Sequence, residues 1–369
     1  MQFVCNRDDL LEAVNTVTKA MAARTSIPLI EGIRLKGEAG KLELFCTDLK
    51  LSIKCTINAD FEGAFACVMP GKLFSEVVRR LPDDDVEIDL EEANEGSFKV
   101  TILCRDSRTT LTALDATDFP ETPEVPDENA VEIEERVLRA MIRQTSFAVA
   151  QDSTRPIFTG ELIEIEDGQM NVVALDGFKF ALRSCEVDPA SPKRRCVVPG
   201  RAMLEVMRIL GDTADKVRIH LAGNCFMLQK DSTRVITRLL EGDFIRYSQI
   251  IPRESTTQVR VNVEDLRAAI SRAELIAQDD RVNLVKFHIG EDEIVVTSRS
   301  EAGNVRERVA CECTGASLDT AFNIKYISDA LRALECDEVM MDYTTAVSAC
   351  VLRPAGDEKF LYLVLPVQV

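Results

Sequence analysis

The chain has 369 residues with 44 basic and 62 acidic side chains, a net charge of −18, and it is 46% apolar, the fraction expected of a packed globular protein of two or three domains. No apolar run nears the ~20 residues of a membrane span, and the acidic start MQFVCNRDDL lacks the order of a secretory signal, so a cytoplasmic protein without a membrane partner is expected. Twelve cysteines set singly, with only Cys311 and Cys313 close together on one face of a strand, argue against a disulfide framework or a zinc site.

In chain order, Gln2–Cys5 reads as a strand, followed by a helix to about Ala22 with Asn6 or Asp8 as N-cap. Alternating runs then predict strands at 32–36, 41–47, 51–57 and 64–68. A helix at Pro70–Leu81, PGKLFSEVVRRL, comes next, with Leu73, Phe74, Val77, Val78 and Leu81 as its apolar face, and strands at 86–90, 98–104 and 109–114 close the set. The order returns from Val131, with a helix at 134–150 and strands at 162–166, 170–175, 181–187, 217–222, 225–230 and 233–239. It returns again from Gln258, with a helix at 263–278. The PGKLFSEVVRRL helix recurs as PGRAMLEVMRIL at Pro199–Leu210 and NIKYISDALRAL at Asn323–Leu334, 129 and 124 residues further on.

In register, Lys72, Arg201 and Lys325 coincide, as do Glu76, Glu205 and Asp329, then Arg79, Arg208 and Arg332. Positions i, i+4 and i+7 share a helix face, so each copy carries a basic–acidic–basic stripe. The strand turn at Thr47-Asp48 is echoed at Asp176-Gly177, whereas the third copy has lost the aspartate and reads as a longer turn. Pro-rich connectors containing Asp118-Phe119 and Asp243-Phe244 separate the units. The expected fold is α+β: three repeated domains, at 1–120, 130–245 and 254–369, each with two helices packed on antiparallel sheets.

Charge is segregated within this pattern. The six helical segments at 7–24, 70–81, 134–150, 199–210, 263–278 and 323–334 hold 15 basic and 11 acidic residues, while the remainder holds 29 and 51. A chain acidic overall thus carries basic helices. The stripe reads either as an ion-paired solvated face or as a sequence-independent contact to a phosphate backbone; Lys four residues before Glu is the weaker pairing order.

Catalytic patterns are absent from the sequence: no phosphate-binding glycine loop, no nucleophile elbow, no zinc helix. His220 and His288 lie in strand patterns. Asp83-Asp84-Asp85 and Asp279-Asp280 fall in turns after helices, where solvated aspartates are common. Asp48 and Asp176 recur, and a metal-dependent enzyme built on them is the alternative to a binding protein; a turn aspartate ordinarily bonds its own backbone. No cofactor and no metal are expected.

The chain resembles the bacterial sliding clamps, the beta subunits of replicative DNA polymerase III. The resemblance is carried over the full length by PGKLFSEVVRRLP, ATDFP, FAVAQDSTRPIFTGELIE, ALDGFKFAL, VPGRAMLEVMRIL and the terminal FLYLVLPVQV. It implies a non-enzymatic processivity factor of DNA replication, a head-to-tail homodimer closing a six-domain ring around double-stranded DNA with helices toward the hole. DNA contacts are then expected at Arg24, Lys72, Arg79, Arg143, Arg201 and Arg208.

The resemblance also implies a pocket for short peptides of the replicative polymerase, clamp loader and repair proteins. The matching positions are Arg155, Phe158, Leu175, Gly177, Phe178, Lys179, Phe180, Ile245, Ile250, Tyr326, Ala349, Leu363, Leu365, Pro366 and Val367. The subunit contact would bring Leu275 and Ile276 against a first-domain edge strand at Thr109 and Leu111. Phe178-Lys179-Phe180, Ile245, Gln249 and Thr109 depart from the residues common in the family, which implies a more apolar pocket and a different dimer contact.

Overall fold

The computed structural model describes residues 1–94, 96–123, 125–126, 130–151, 154–277 and 283–368. The first repeat runs β1 (Gln2–Cys5), α1 (Arg7–Val17), β2 (Gly32–Glu38), β3 (Lys41–Thr47), β4 (Leu51–Asn58), β5 (Ala64–Pro70), α2 (Gly71–Arg80), β6 (Val86–Asn94), β7 (Ser97–Cys104) and β8 (Ser107–Asp115). The second runs β9 (Val131–Glu134), α3 (Glu135–Thr145), β10 (Gly160–Glu166), β11 (Gln169–Leu175), β12 (Lys179–Glu186), β13 (Arg194–Pro199), α4 (Gly200–Ile209), β14 (Lys216–Ala222), β15 (Cys225–Lys230) and β16 (Thr233–Arg238). The third runs β17 (Thr257–Asn262), α5 (Val263–Ala277), β18 (Leu284–Ile289), β19 (Glu293–Ser300), β20 (Gly303–Gly315), β21 (Leu318–Asn323), α6 (Ile324–Ala333), β22 (Glu338–Tyr343), β23 (Cys350–Pro354) and β24 (Phe360–Val364). The order strand–helix–four strands–helix–three strands is kept three times, as the repeated sequence requires.

Two compact units result, and they follow the sheets rather than the repeats. The first comprises Met1–Glu135 with Arg208–Leu239, the second Arg136–Met207 with Leu240–Val369. The first unit holds a sheet in the order β1-β6-β7-β8-β5-β2-β3-β4-β16-β15-β14-β9, and the second one in the order β13-β10-β11-β12-β24-β23-β22-β17-β20-β19-β18-β21. The joints explain the division. Antiparallel pairing of β4 with β16 (Leu51 opposite Thr237, Ile53 opposite Val235) ties half of the middle repeat to the first, and β12 with β24 (Phe180 opposite Leu363) ties its other half to the third.

Helices end where side chains compete with the backbone. Asn6 caps α1 by accepting from the Asp8 and Asp9 amides. The helix expected to reach Ala22 instead tightens into a 3₁₀ turn at Thr18–Ala20, where the Thr18 hydroxyl bonds the Asn15 carbonyl. Thr145 likewise turns its hydroxyl back to the Met141 carbonyl and ends α3 well before residue 150. The strand β13, hidden in sequence by Pro189, Pro192 and three consecutive basic residues, pairs with β10 directly before α4.

In the third repeat the strands lengthen instead of the turn: β19 and β20 run on to a closing pair at Ser300 and Gly303. Leu73 is 53% exposed, unlike Phe74, Val78 and Leu81, which are buried as expected. The end of α5 expected at Gln278, and Asp279-Asp280, lie outside the described residues.

The second unit's core gathers Val261, Leu266, Ile270 and Ile327 from the strand and helices with Phe287, Phe322 and Tyr362 from the sheet, each worth about 1.5–3 kcal/mol for leaving water. Glu161 on β10 is the exception. It is fully buried, has one oxygen 2.7 Å from the Thr145 hydroxyl, and leaves its other oxygen without a partner among the described residues. Burial pushes its carboxyl up to about 8.

The unfolded chain ionises this group near the ordinary glutamate value while the folded chain keeps it protonated, so its cost to stability grows as pH rises from about 4.5 to about 8. Glu161→Gln is therefore expected to raise stability by roughly 2 kcal/mol at pH 8 and little at pH 5. Denaturant melts of both proteins across that range check it, and an unchanged pH slope would contradict it.

Candidate functional site

The pocket residues expected from sequence all lie in the second unit, where the joint of β12 with β24 brings most of them together. Phe158, Leu175, Phe180 and Leu363 belong to one buried apolar cluster, with Ile245 and Ala349 packed against it. Phe158 meets Phe244 edge-on at 5.7 Å, and Phe180 stacks on Tyr247 at 6.0 Å. Tyr247 is a member that sequence reasoning missed. Its hydroxyl donates to Glu164, and burial with that carboxylate pushes the phenol up. The one available signal was its place in the connector after Phe244, among only four tyrosines.

The lip of the cluster is apolar and open: Phe178 is 61% exposed, Leu365 41%, and Ile250, next to the Ile251 that packs on the cluster, 42%. It is held by backbone. The Asp176 carboxylate accepts from the Phe178 and Lys179 amides at 2.9 and 3.0 Å, with Gly177 at φ +96° inside the turn. The Leu365 amide donates to the Phe178 carbonyl at 2.9 Å, tying the C-terminal tail to that turn. Asp48 makes the same turn in the first unit, accepting from Lys50 and Leu51. The two aspartates that opened the enzyme alternative thus sit in matching turns.

Lys179 is buried rather than rimming the pocket. Its ammonium donates to the Phe147 carbonyl at 2.6 Å and sits 4.9 Å from the Tyr326 ring centre, and burial pulls its pKa down. Arg155 supplies the exposed charge, 5.9 Å above the Phe158 ring. Pro366 and Val367 are half-buried, and the Val367 amide donates to the Ala321 carbonyl at 2.7 Å. The arrangement offers hydrophobic anchoring sites, an extended backbone edge and little charge, which suits an extended apolar peptide.

The basic positions divide between the units. In the first, Arg24 and Lys72 are exposed with no ion pair among the described residues, and Arg208 is exposed at the end of α4. Arg79 binds Glu76 at 2.6 Å, and Arg80 takes the same glutamate at 2.7 Å. The i to i+3 and i+4 pairs thus use the favourable order and omit Lys72. In the second unit, Arg143 pairs with Glu335 at 2.5 Å and Arg201 is exposed, while Glu205 in the middle of its stripe is buried. The stripe is therefore not a uniform solvated face. Lys72, Arg201 and Lys325 occupy the opening turns of α2, α4 and α6, which contain no acidic residue. Cations there oppose the helix dipole, at about 0.3–1 kcal/mol each.

At the expected subunit contact, Leu275 is 72% exposed and Ile276 half-buried. Thr109 is half-buried and Leu111 almost wholly buried, so Leu111 contributes to its own sheet. The exposed apolar groups of that region are instead Leu73 and Leu114, which line a cleft of about 470 Å³. Among the described residues, no group of three acidic, cysteine or histidine side chains could hold a metal, and no helix is long and apolar enough to cross a membrane. Asp84 is engaged by Arg105 at 2.8 Å, His288 by Asp319 at 2.8 Å, and the cysteines are free thiols.

Models of three domains of the DNA polymerase III beta subunit match the chain in order: the N-terminal domain at residues 1–123, the central domain at 132–245 and the C-terminal domain at 248–368. The chain belongs to the beta sliding clamp family. Its similarity to the beta sliding clamp of Staphylococcus aureus is 30% identity over 378 residues, spanning 100% of this chain and 99% of that one.

The crystal structure of the Bacillus subtilis sliding clamp superposes with a TM-score of 0.95 at 31% identity, covering 100% and 99% of the two chains. The Pseudomonas aeruginosa clamp, solved bound to griselimycin, superposes at 0.93 with 25% identity and full coverage of both. Membership of the clamp family makes this chain a non-catalytic accessory subunit, a processivity factor of DNA replication, with the three-domain clamp fold.

Proposed function

We propose that two copies of the chain close into a ring around duplex DNA, that the basic helices touch the phosphate backbone, and that the pocket at the β12–β24 joint tethers polymerase, clamp loader and repair proteins by short apolar peptides. Domain limits near 1–120, 130–245 and 254–369 go with this reading. Its carrying observation is the set of exposed cations that open α2 and α4 against the helix dipole, with Arg24 and Lys72 in no ion pair among the described residues. Such groups are poorly placed for stability and well placed for an anion. Encirclement makes retention topological, so weak, salt-screened phosphate contacts permit sliding, while the pocket raises the local concentration of a bound polymerase.

The closure reading rests on unfinished edges. Among the described residues, β8 is paired along 107–113 only with β7, since β5 reaches only Leu114 and Asp115. Among the described residues, the half of β20 at 303–310 is paired only with β19, since β17 takes residues 311–315. The joints β4–β16 and β12–β24 are made of strands in the corresponding repeat positions, so joining β8 of one copy to β20 of the next supplies the missing third kind of joint, head to tail. Counting from the shared Arg-Ala steps at Arg139 and Arg267, Leu275 falls where Phe147 stands, and Phe147 packs on Tyr362 of β24 at 5.4 Å. An exposed leucine at that place suits the same role against a partner copy.

The test is charge reversal. With Arg24, Lys72 and Arg201 changed to glutamate, DNA loading is expected to fall more than tenfold at low salt while peptide affinity stays unchanged. Equal loss of both would refute the separation of the two sites.

A further inference from the structure

We propose that the third repeat's sheet face turned away from α5 and α6 is an exosite, where Arg306, Lys286 and His288 take an acidic extension of the partner peptide; this rests on the pocket reading above. Phe287 is buried against the helices, so its neighbours Lys286 and His288 point to the opposite face. There a cross-strand ladder runs from Arg306 through Thr297 and Lys286 to Ala321. The next position is the tail itself, whose Val367 amide bonds the Ala321 carbonyl. A cleft of about 810 Å³ follows this ladder and is walled by Val347, which is 69% exposed. It is therefore continuous, through Val367, with the C-terminal residues of the peptide pocket.

Its charge is the reverse of the chain's. Lys286 and Arg306 are exposed and have no ion pair among the described residues, while the carboxylate in the cleft, Asp319, is held by His288 at 2.8 Å. In a protein of net charge −18, a cleft with two unsatisfied cations favours carboxylates. A segment leaving the pocket past Val367 would meet these groups in sequence, adding a salt-sensitive contact to an apolar one.

Fluorescence anisotropy with a synthetic pentapeptide bearing two leucines and a phenylalanine, with and without a Glu-Asp-Glu-Asp extension at either end, tests this. One extended form is expected to bind about 3–10-fold more tightly than the plain peptide at low salt, and the gain should vanish in 0.5 M salt and in the variant Lys286→Glu with Arg306→Glu. The plain peptide should bind wild type and variant equally. No gain from either extension, or a gain that survives charge reversal, overturns the exosite. Failure of the plain peptide to bind wild type refutes the pocket reading instead, and the extended peptide then decides the exosite alone. If the variant lowers affinity for a duplex oligonucleotide while the peptide gain persists, the cleft is a nucleic-acid contact and the proposal is wrong.

Discussion

Leu275→Asp is expected to convert the protein from a species of twice 41.0 kDa to one of 41.0 kDa in light scattering at low micromolar concentration. Leu275 is 72% exposed, so within one copy it contributes little to folding, and the melting temperature should move by no more than a degree or two. In the proposed joint it is covered by the partner's edge, and an aspartate there must lose its water without gaining a partner. That penalty is several kcal/mol, and each 1.4 kcal/mol weakens a dimer tenfold, so a dissociation constant raised at least a thousandfold is expected. Leu49→Asp is the control, since Leu49 is 50% exposed but lies in the β3–β4 turn and belongs to neither unfinished edge; its mass should not change. A Leu275→Asp dimer would contradict the closure reading.

Truncating the pocket's lip should be nearly as damaging to partner binding. Phe178→Ala, Ile250→Ala and Leu365→Ala remove side chains that are 61%, 42% and 41% exposed, so each should cost about 1–2 kcal/mol of peptide affinity and almost no stability. The triple variant is expected to bind an apolar pentapeptide at least a hundredfold more weakly with an unchanged melting temperature. Leu363→Ala is the wrong probe. That residue is 5% exposed in the cluster beneath, and its truncation should cost 2–5 kcal/mol of fold stability. Unchanged peptide affinity in the triple variant would remove the pocket from this part of the second unit.

Much of this was legible in the sequence, because repetition exposes what a single copy hides. Three copies of one amphipathic helix fixed the repeat and its strand order, and the paired Asp48 and Asp176 turns followed from the chemistry of aspartate before glycine-like positions. What escaped depended on which edges lack a partner. Leu73 read as an ordinary member of an apolar helix face, yet it is 53% exposed, and Leu275, which only the resemblance set at a subunit contact, is 72% exposed. Lys179 was set among the pocket residues by the resemblance alone, and its ammonium is drawn inward by the Phe147 carbonyl and the Tyr326 ring. Tyr247 was missed because a connector carries no periodicity to mark its inward side. The pairing of Glu76 with Arg79 and Arg80 in place of Lys72 was visible only as a preference of order.

Retention on DNA of different topology tests the central claim most directly. The protein, loaded with a clamp loader and ATP onto a singly nicked circular plasmid, would be passed through a sizing column before and after the plasmid is cut once. A ring held by topology stays with the circle in 0.1 M salt and is lost from the linear form by sliding off its ends. Equal retention on both forms would mean that direct contacts hold the protein, and would contradict the clamp account.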